Sequence, residues 1–170
     1  YRLKLLSNLT EDLLEYSRLI EGKVSMDLEK INVSYLLQEV TSTFYDQLIE
    51  KNFKVTINIP DEVLYFNGDV ASFKRIFTNL IQNTLVYGTE IFEIFININR
   101  KNIIFRNKIA DTQGFDVELL LNRFYTADKS RTDKSTGLGL AIVKELINSM
   151  GGTIKTYLEE DFLVIVIGLG

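Results

Sequence analysis

Apolar positions along the first twenty residues fall in one stripe, with Leu6, Leu9, Leu13, Tyr16 and Ile20 recurring three and four apart. That spacing is the a/d seam of a helix packed against another helix, and Gly22 follows as a stop signal. A seam this narrow cannot bury itself, because an isolated helix of about 20 residues is marginal in water. The expectation is a bundle-type helix whose partner is missing or supplied by a second chain; a helix folded back onto its own domain is the alternative. Residues 33 to 51 repeat the helical period through Leu36, Leu37, Val40, Phe44 and Leu48, with Asn32 placed to cap the start and Asn52 the end.

The period then changes. Phe53, Val55, Ile57 and Ile59 alternate with polar residues up to Pro60, which predicts a strand closed by a proline, with residues 63 to 66 as a candidate partner strand. Asp69 can cap a third helix whose apolar face is Val70, Phe73, Phe77, Leu80 and Thr84, stopping at Tyr87-Gly88. Phe92, Ile94, Ile96 and Ile98 alternate again, and after a turn at residues 99 to 102 the run Ile103-Ile104-Phe105 returns as a hairpin. Residues 107 to 114 are polar and aperiodic, 116 to 123 suit a short helix, and 126 to 135 form a strongly polar stretch that reads as a mobile loop. A helix over 138 to 150 ends at Gly151-Gly152, and residues 153 to 158 and 162 to 167 make a terminal hairpin. Its last strand is apolar on both faces and should lie inside a sheet. Helices and strands alternate without a regular βαβ rhythm, which predicts a two-layer α+β sandwich with the leading helix attached.

Composition narrows what such a domain does. A net charge of -4 gives no global attraction to nucleic acid or anionic lipid, so neither is expected as a partner, and any phosphate binding must come from a local arrangement. The chain has no cysteine, which removes disulfides and thiolate chemistry, and no histidine, which removes imidazole metal sites and histidine bases.

Local arrangements of that kind are present. Gly137-Leu138-Gly139 stands at the mouth of a predicted helix, where small residues let a ligand approach backbone N–H groups and the helix dipole favours negative charge. A tight turn would use the same residues. Just upstream, Lys129, Arg131 and Lys134 sit among hydroxyls and could close over a triphosphate, or could form a solvated loop. Asn79 and Asn83 lie one turn apart on the third helix, spaced either for helix–helix hydrogen bonds or for a hard cation that takes oxygen ligands.

Taken together these segments carry a resemblance. Asn79-Leu80-Ile81-Gln82-Asn83-Thr84-Leu85-Val86-Tyr87 resembles the N box of sensor histidine kinases. Arg123-Phe124-Tyr125-Thr126-Ala127-Asp128-Lys129-Ser130-Arg131 resembles their F box and following lid, and Thr136-Gly137-Leu138-Gly139-Leu140-Ala141-Ile142-Val143-Lys144 their second glycine box. Residues 14 to 23 are similar to the end of the second dimerisation helix.

The resemblance implies a Bergerat (GHKL) ATP-binding fold over residues 23–170, preceded by the partial dimerisation helix over residues 1–22. It implies ATP and Mg2+ as cofactors, Asn83 as the metal ligand, and Asn83 and Arg131 as catalytic residues. Nucleotide contacts would come from Asn79, Asn83, Tyr87, Asn107, Phe124, Lys129, Arg131, Thr136, Gly137, Leu138, Gly139 and Leu140. The γ-phosphoryl group would pass to a histidine and then to the receiver domain of a response regulator. The full-length protein would be a homodimer through the N-terminal helix, and this part would be the cytoplasmic domain of a membrane-anchored bacterial sensor.

Three departures accompany it. The family's first glycine box, Asp-x-Gly-x-Gly, is replaced by Asn107-Lys108-Ile109-Ala110-Asp111-Thr112-Gln113-Gly114. Asn107 holds the place of the adenine-binding aspartate and could accept from the adenine amino group, but without charge. Val86 stands where the family has a basic residue. The phosphoacceptor histidine is absent too, and is expected on a first dimerisation helix upstream of Tyr1. These departures motivate a second reading, a nucleotide-poor, pseudokinase-like module for dimerisation and signal transmission; a GHKL ATPase of another kind is a third.

Overall fold

The computed structural model describes residues 2–111, 116–125 and 136–170. The leading helix, α1, runs Arg2–Ile20, and the chain continues through a short strand β1 (Glu29–Asn32) into α2 (Val33–Glu50). Asn32 caps α2, its side chain accepting from the Tyr35 N–H at 2.9 Å. Strands β2 (Lys54–Asn58) and β3 (Tyr65–Gly68) precede α3 (Val70–Tyr87). Asp69 caps α3 from both sides, accepting from the Ser72 N–H at 2.7 Å and from the Asp27 N–H at 2.9 Å. The remaining elements are β4 (Gly88–Asn97), β5 (Asn102–Ile109), a 3-10 turn at Val117–Leu119, α4 (Gly139–Ser149), β6 (Thr153–Glu159) and β7 (Phe162–Gly168).

The main sheet has the order β2-β4-β5-β7-β6, with β2 parallel to β4 and every other pair antiparallel. As its two apolar faces require, β7 is interior. A separate two-stranded sheet pairs β3 with β1, not with β2 as the alternation suggested. The sequence pattern misses β1 because Glu29-Lys30-Ile31-Asn32 buries only Ile31, so no period of two is visible.

Alternation on β4 and β5 sends Phe92, Ile94, Ile96, Ile103, Phe105 and Ile109 into one core beneath the helices. Phe66, Phe73, Phe77, Phe105 and Phe92 form a chain of ring contacts through it, with centroids 5.6 to 6.4 Å apart. The hairpin strand expected to end near residue 106 runs on to Ile109, because Asn107 and Ile109 keep the inward register. Gly88 makes the tight exit from α3, where an added Cβ would lie 2.7 Å from the Thr84 carbonyl oxygen.

The architecture is thus the expected two-layer α+β sandwich, and α1 packs beside α4. Of its apolar stripe, Leu9 and Tyr16 are partly buried against the core with Leu19, while Leu6, Leu13 and Ile20 remain exposed. The fold-back alternative therefore describes one edge of α1, and the free seam describes the other. Among the described residues no helix is long and apolar enough to cross a membrane.

Candidate nucleotide site

A cavity of about 660 Å³ opens between α1, α3 and the start of α4, within the range usual for small-molecule sites. One wall is the polar row of α3. Arg75, Asn79 and Asn83 follow one another at intervals of one turn and all line the cavity. Asn79 is 8% exposed and donates its side-chain amide to the Gly139 carbonyl oxygen at 3.3 Å, fastening α3 to the first turn of α4. Asn83 is half-buried and has no hydrogen-bond partner among the described residues, which leaves its carboxamide oxygen for a ligand.

The opposite wall is the glycine loop. Gly137 has φ +68°, a left-handed conformation that disfavours a side chain, and its carbonyl oxygen accepts from the Phe124 N–H at 2.9 Å. Leu138 is fully buried and anchors the loop in the core. Among the described residues no side chain caps the start of α4, which leaves its first N–H groups for an anion. A Cβ on Gly139 would stand 3.8 Å from the Asn79 amide, which keeps that approach close. The inner end is apolar, with Leu85, Ile109, Leu140 and Leu163 offering a surface for a flat ring.

The model of the histidine kinase-, DNA gyrase B- and HSP90-like ATPase family matches residues 68–166. The chain belongs to this family. Relatives include the sensor protein DltS of Streptococcus agalactiae, 32% identical over 91% of this chain and 40% of that protein. The sensor histidine kinase WalK of Bacillus subtilis is 31% identical over 86% of this chain and 25% of its own length. The chain thus spans well under half of these relatives. Among solved structures, the histidine kinase AdeS of Acinetobacter baumannii superposes with a TM-score of 0.77 at 21% identity, covering 99% of this chain and 79% of that one. The catalytic domain of histidine kinase ThkA gives 0.70 at 24% identity, over 85% and 95%. The fold is that of histidine kinase catalytic domains, and the chain is an ATP-binding catalytic domain of the sensor histidine kinase kind. The nucleotide-poor reading finds no support among these relatives.

Around this cavity the residues singled out in the sequence distribute unevenly. Asn79, Asn83, Tyr87, Thr136, Gly137, Gly139 and Leu140 line the cavity together. Leu138 is in the core behind it, and Phe124, at φ +59° and 57% exposed, sits outside the lining while holding Gly137 through its N–H. Asn107 is 3% exposed on the inward face of β5, in register with Phe92 and with Leu163, which does line the cavity. Its amide donates to the Lys108 carbonyl oxygen at a long 3.4 Å. Lys129, Arg131 and Lys134, with the loop expected to be mobile, lie outside the described residues.

Sequence reasoning missed the α1 side of the cavity. Asp12 and Glu15 both pair with Arg75, Glu15 accepting from Nε at 3.0 Å, and Thr136 donates its hydroxyl to Asp12 at 2.7 Å. Burial alone would lower the affinity of Arg75 for its proton, but the charge and hydrogen bonds of Glu15, then of Asp12, push it above the ordinary arginine value. The position of Arg75 one turn before Asn79 was a visible signal. The docking of α1 was not.

Proposed function

We propose that this domain binds ATP with Mg2+ in the cavity between α3 and α4 and transfers the γ-phosphoryl group to a histidine on a dimerisation helix, for relay to a response regulator receiver domain. The observation that carries this reading is the convergence of Asn79, Asn83 and the Gly137–Gly139 loop on one cavity with an apolar inner end. The residues fit the metal. Asn83 presents an uncommitted amide oxygen, the kind of hard ligand that Mg2+ shares with nucleotide phosphates and water. When bound, the metal supplies charge neutralisation at the phosphates. The protein's own share is positioning: N–H groups at the start of α4 take phosphate oxygens, and Asn79 holds that start against α3.

In this reading residues 1–22 are the end of the dimerisation hairpin, and the exposed Leu6, Leu13 and Ile20 are covered by the rest of a homodimeric bundle. The whole protein is a membrane-anchored sensor with this domain on its cytoplasmic side.

Incubation with γ-labelled ATP, Mg2+ and a separate hairpin bearing the acceptor histidine tests the proposal. Acid-labile, base-stable label on the hairpin is the expected result. No transfer from a domain that does bind nucleotide would remove the kinase reading and keep only the binding one.

A further inference from the structure

Among the described residues, carboxylates outnumber cations around the cavity while α1 is in place. Glu11, Asp12 and Glu15 of α1 line it, against one cation, Arg75, among the described lining residues. That guanidinium is spent on carboxylates, with Nε on Glu15 and Nη2 shared between Asp12 and Glu15. Asp12 also takes the Thr136 hydroxyl at the edge of the glycine loop, and the same hydroxyl accepts from the Leu138 N–H at 3.3 Å.

We propose that docking of α1 and binding of nucleotide exclude one another, and that Arg75 is a phosphate ligand held in reserve by Asp12 and Glu15. The inference rests on the ATP reading of the cavity and goes beyond it. Three observations support it. Arg75 stands in line with Asn79 and Asn83, so a ligand phosphate beside Asn79 is within the sweep of its long side chain. A planar guanidinium fork pairs with phosphate as well as with carboxylate, so the anion can take over the same donors. The attachment of α1 combines this ionic cluster with limited apolar cover: Leu19 is buried, Leu9 and Tyr16 are partly buried with the Arg123 guanidinium 5.7 Å over the Tyr16 ring, whereas Leu6, Leu13, Leu14 and Ile20 are exposed. Losing Arg75 to a phosphate would therefore remove the ionic tie between α1 and α3.

The test uses the full chain, with Mg2+ and a non-hydrolysable ATP analogue, by titration calorimetry. The double variant Asp12→Asn with Glu15→Gln is expected to bind at least tenfold more tightly than the unaltered chain, and adding Arg75→Gln to it should remove the gain. Equal or weaker binding by the double variant overturns the exclusion while leaving the nucleotide site standing. Absence of binding in both overturns the nucleotide reading itself. Because the chain has no cysteine, Leu14→Cys with Lys155→Cys can carry a pair of spin labels. Their separation should lengthen on adding the analogue, and an unchanged distance distribution at saturation overturns the proposal independently.

Discussion

Asn79 donates its side-chain amide to the carbonyl oxygen of Gly139, 3.3 Å away and sixty positions later in the chain. One hydrogen bond thus sets the spacing between the polar row of α3 and the phosphate end of α4. Asn79→Leu fills a similar volume but leaves that carbonyl without its second partner, in a position 8% exposed. The expected cost is about 1–3 kcal/mol of stability, read as a lower urea midpoint with an unchanged slope, together with weaker nucleotide binding. A variant as stable as the unaltered chain would show that α4 is held by apolar packing alone.

Asn83 should behave in the opposite way. It is half-buried with no described hydrogen-bond partner, so Asn83→Ala is expected to change stability by less than about 0.5 kcal/mol. Nucleotide binding in Mg2+ should nevertheless fall at least tenfold, and chelating the metal should bring the unaltered chain down to the level of the variant. Calorimetric titrations with and without chelator check this. A loss of affinity that persists without metal would assign Asn83 to the nucleotide directly.

Gly137 separates backbone strain from chemistry. At φ +68° an alanine is strained by about 1–2 kcal/mol, and the loop it would deform also accepts the Phe124 N–H. Gly137→Ala should lower both thermal stability and nucleotide affinity. An unchanged affinity would mean that the loop does not touch the phosphates.

These contrasts show what was legible in the sequence. Periodicity placed the four α-helices and the two hairpins of the main sheet, because Phe92 to Ile98 and Leu163 to Ile167 bury enough apolar surface to advertise their period, but the short helix expected over 116 to 123 is only a 3-10 turn at Val117–Leu119. It failed at β1, where Ile31 is the one buried side chain, and at the partner of β3, because strand pairing across 33 or more residues is decided by tertiary packing. That Gly137, Gly139, Asn79 and Asn83 belong together, as their shared cavity shows, was readable because each carries a local chemical reason. The Asp12–Arg75–Glu15 cluster was not, because its members lie on helices whose contact no local pattern announces.

Acid should weaken one helix cap. Burial of the Asp69 carboxyl would raise its pKa, but the N–H groups of Ser72 and Asp27 outweigh this and hold it below the ordinary 3.8. A carboxyl depressed in the folded state contributes stability that is fully present above its unfolded value and disappears as pH falls through its folded one. Asp69→Ala is expected to cost about 0.5–2 kcal/mol at pH 7, and the gap from the unaltered chain should narrow at acid pH, below the ordinary 3.8. Urea unfolding at both pH values measures it; a gap independent of pH would mean that the cap works through geometry and not through charge.

Asn107 supplies the sharpest opposition between stability and binding. It occupies the place where the resemblance expects an aspartate, 3% exposed between Phe92 and Leu163, with a 3.4 Å hydrogen bond from its amide among the described residues. An amide can turn to accept from a 6-amino purine or donate to a 6-oxo one, whereas a carboxylate only accepts. Asn107→Asp should therefore widen the preference for ATP over GTP severalfold in competition titrations. It should also lower the stability of the nucleotide-free domain by on the order of 1–3 kcal/mol, because a carboxylate buried there loses water and gains no described partner. Improved ATP selectivity without loss of stability would show that the pocket already supplies donors for a negative charge. A selectivity that does not move would place the purine ring away from Asn107 and against Ile109 and Leu163 alone.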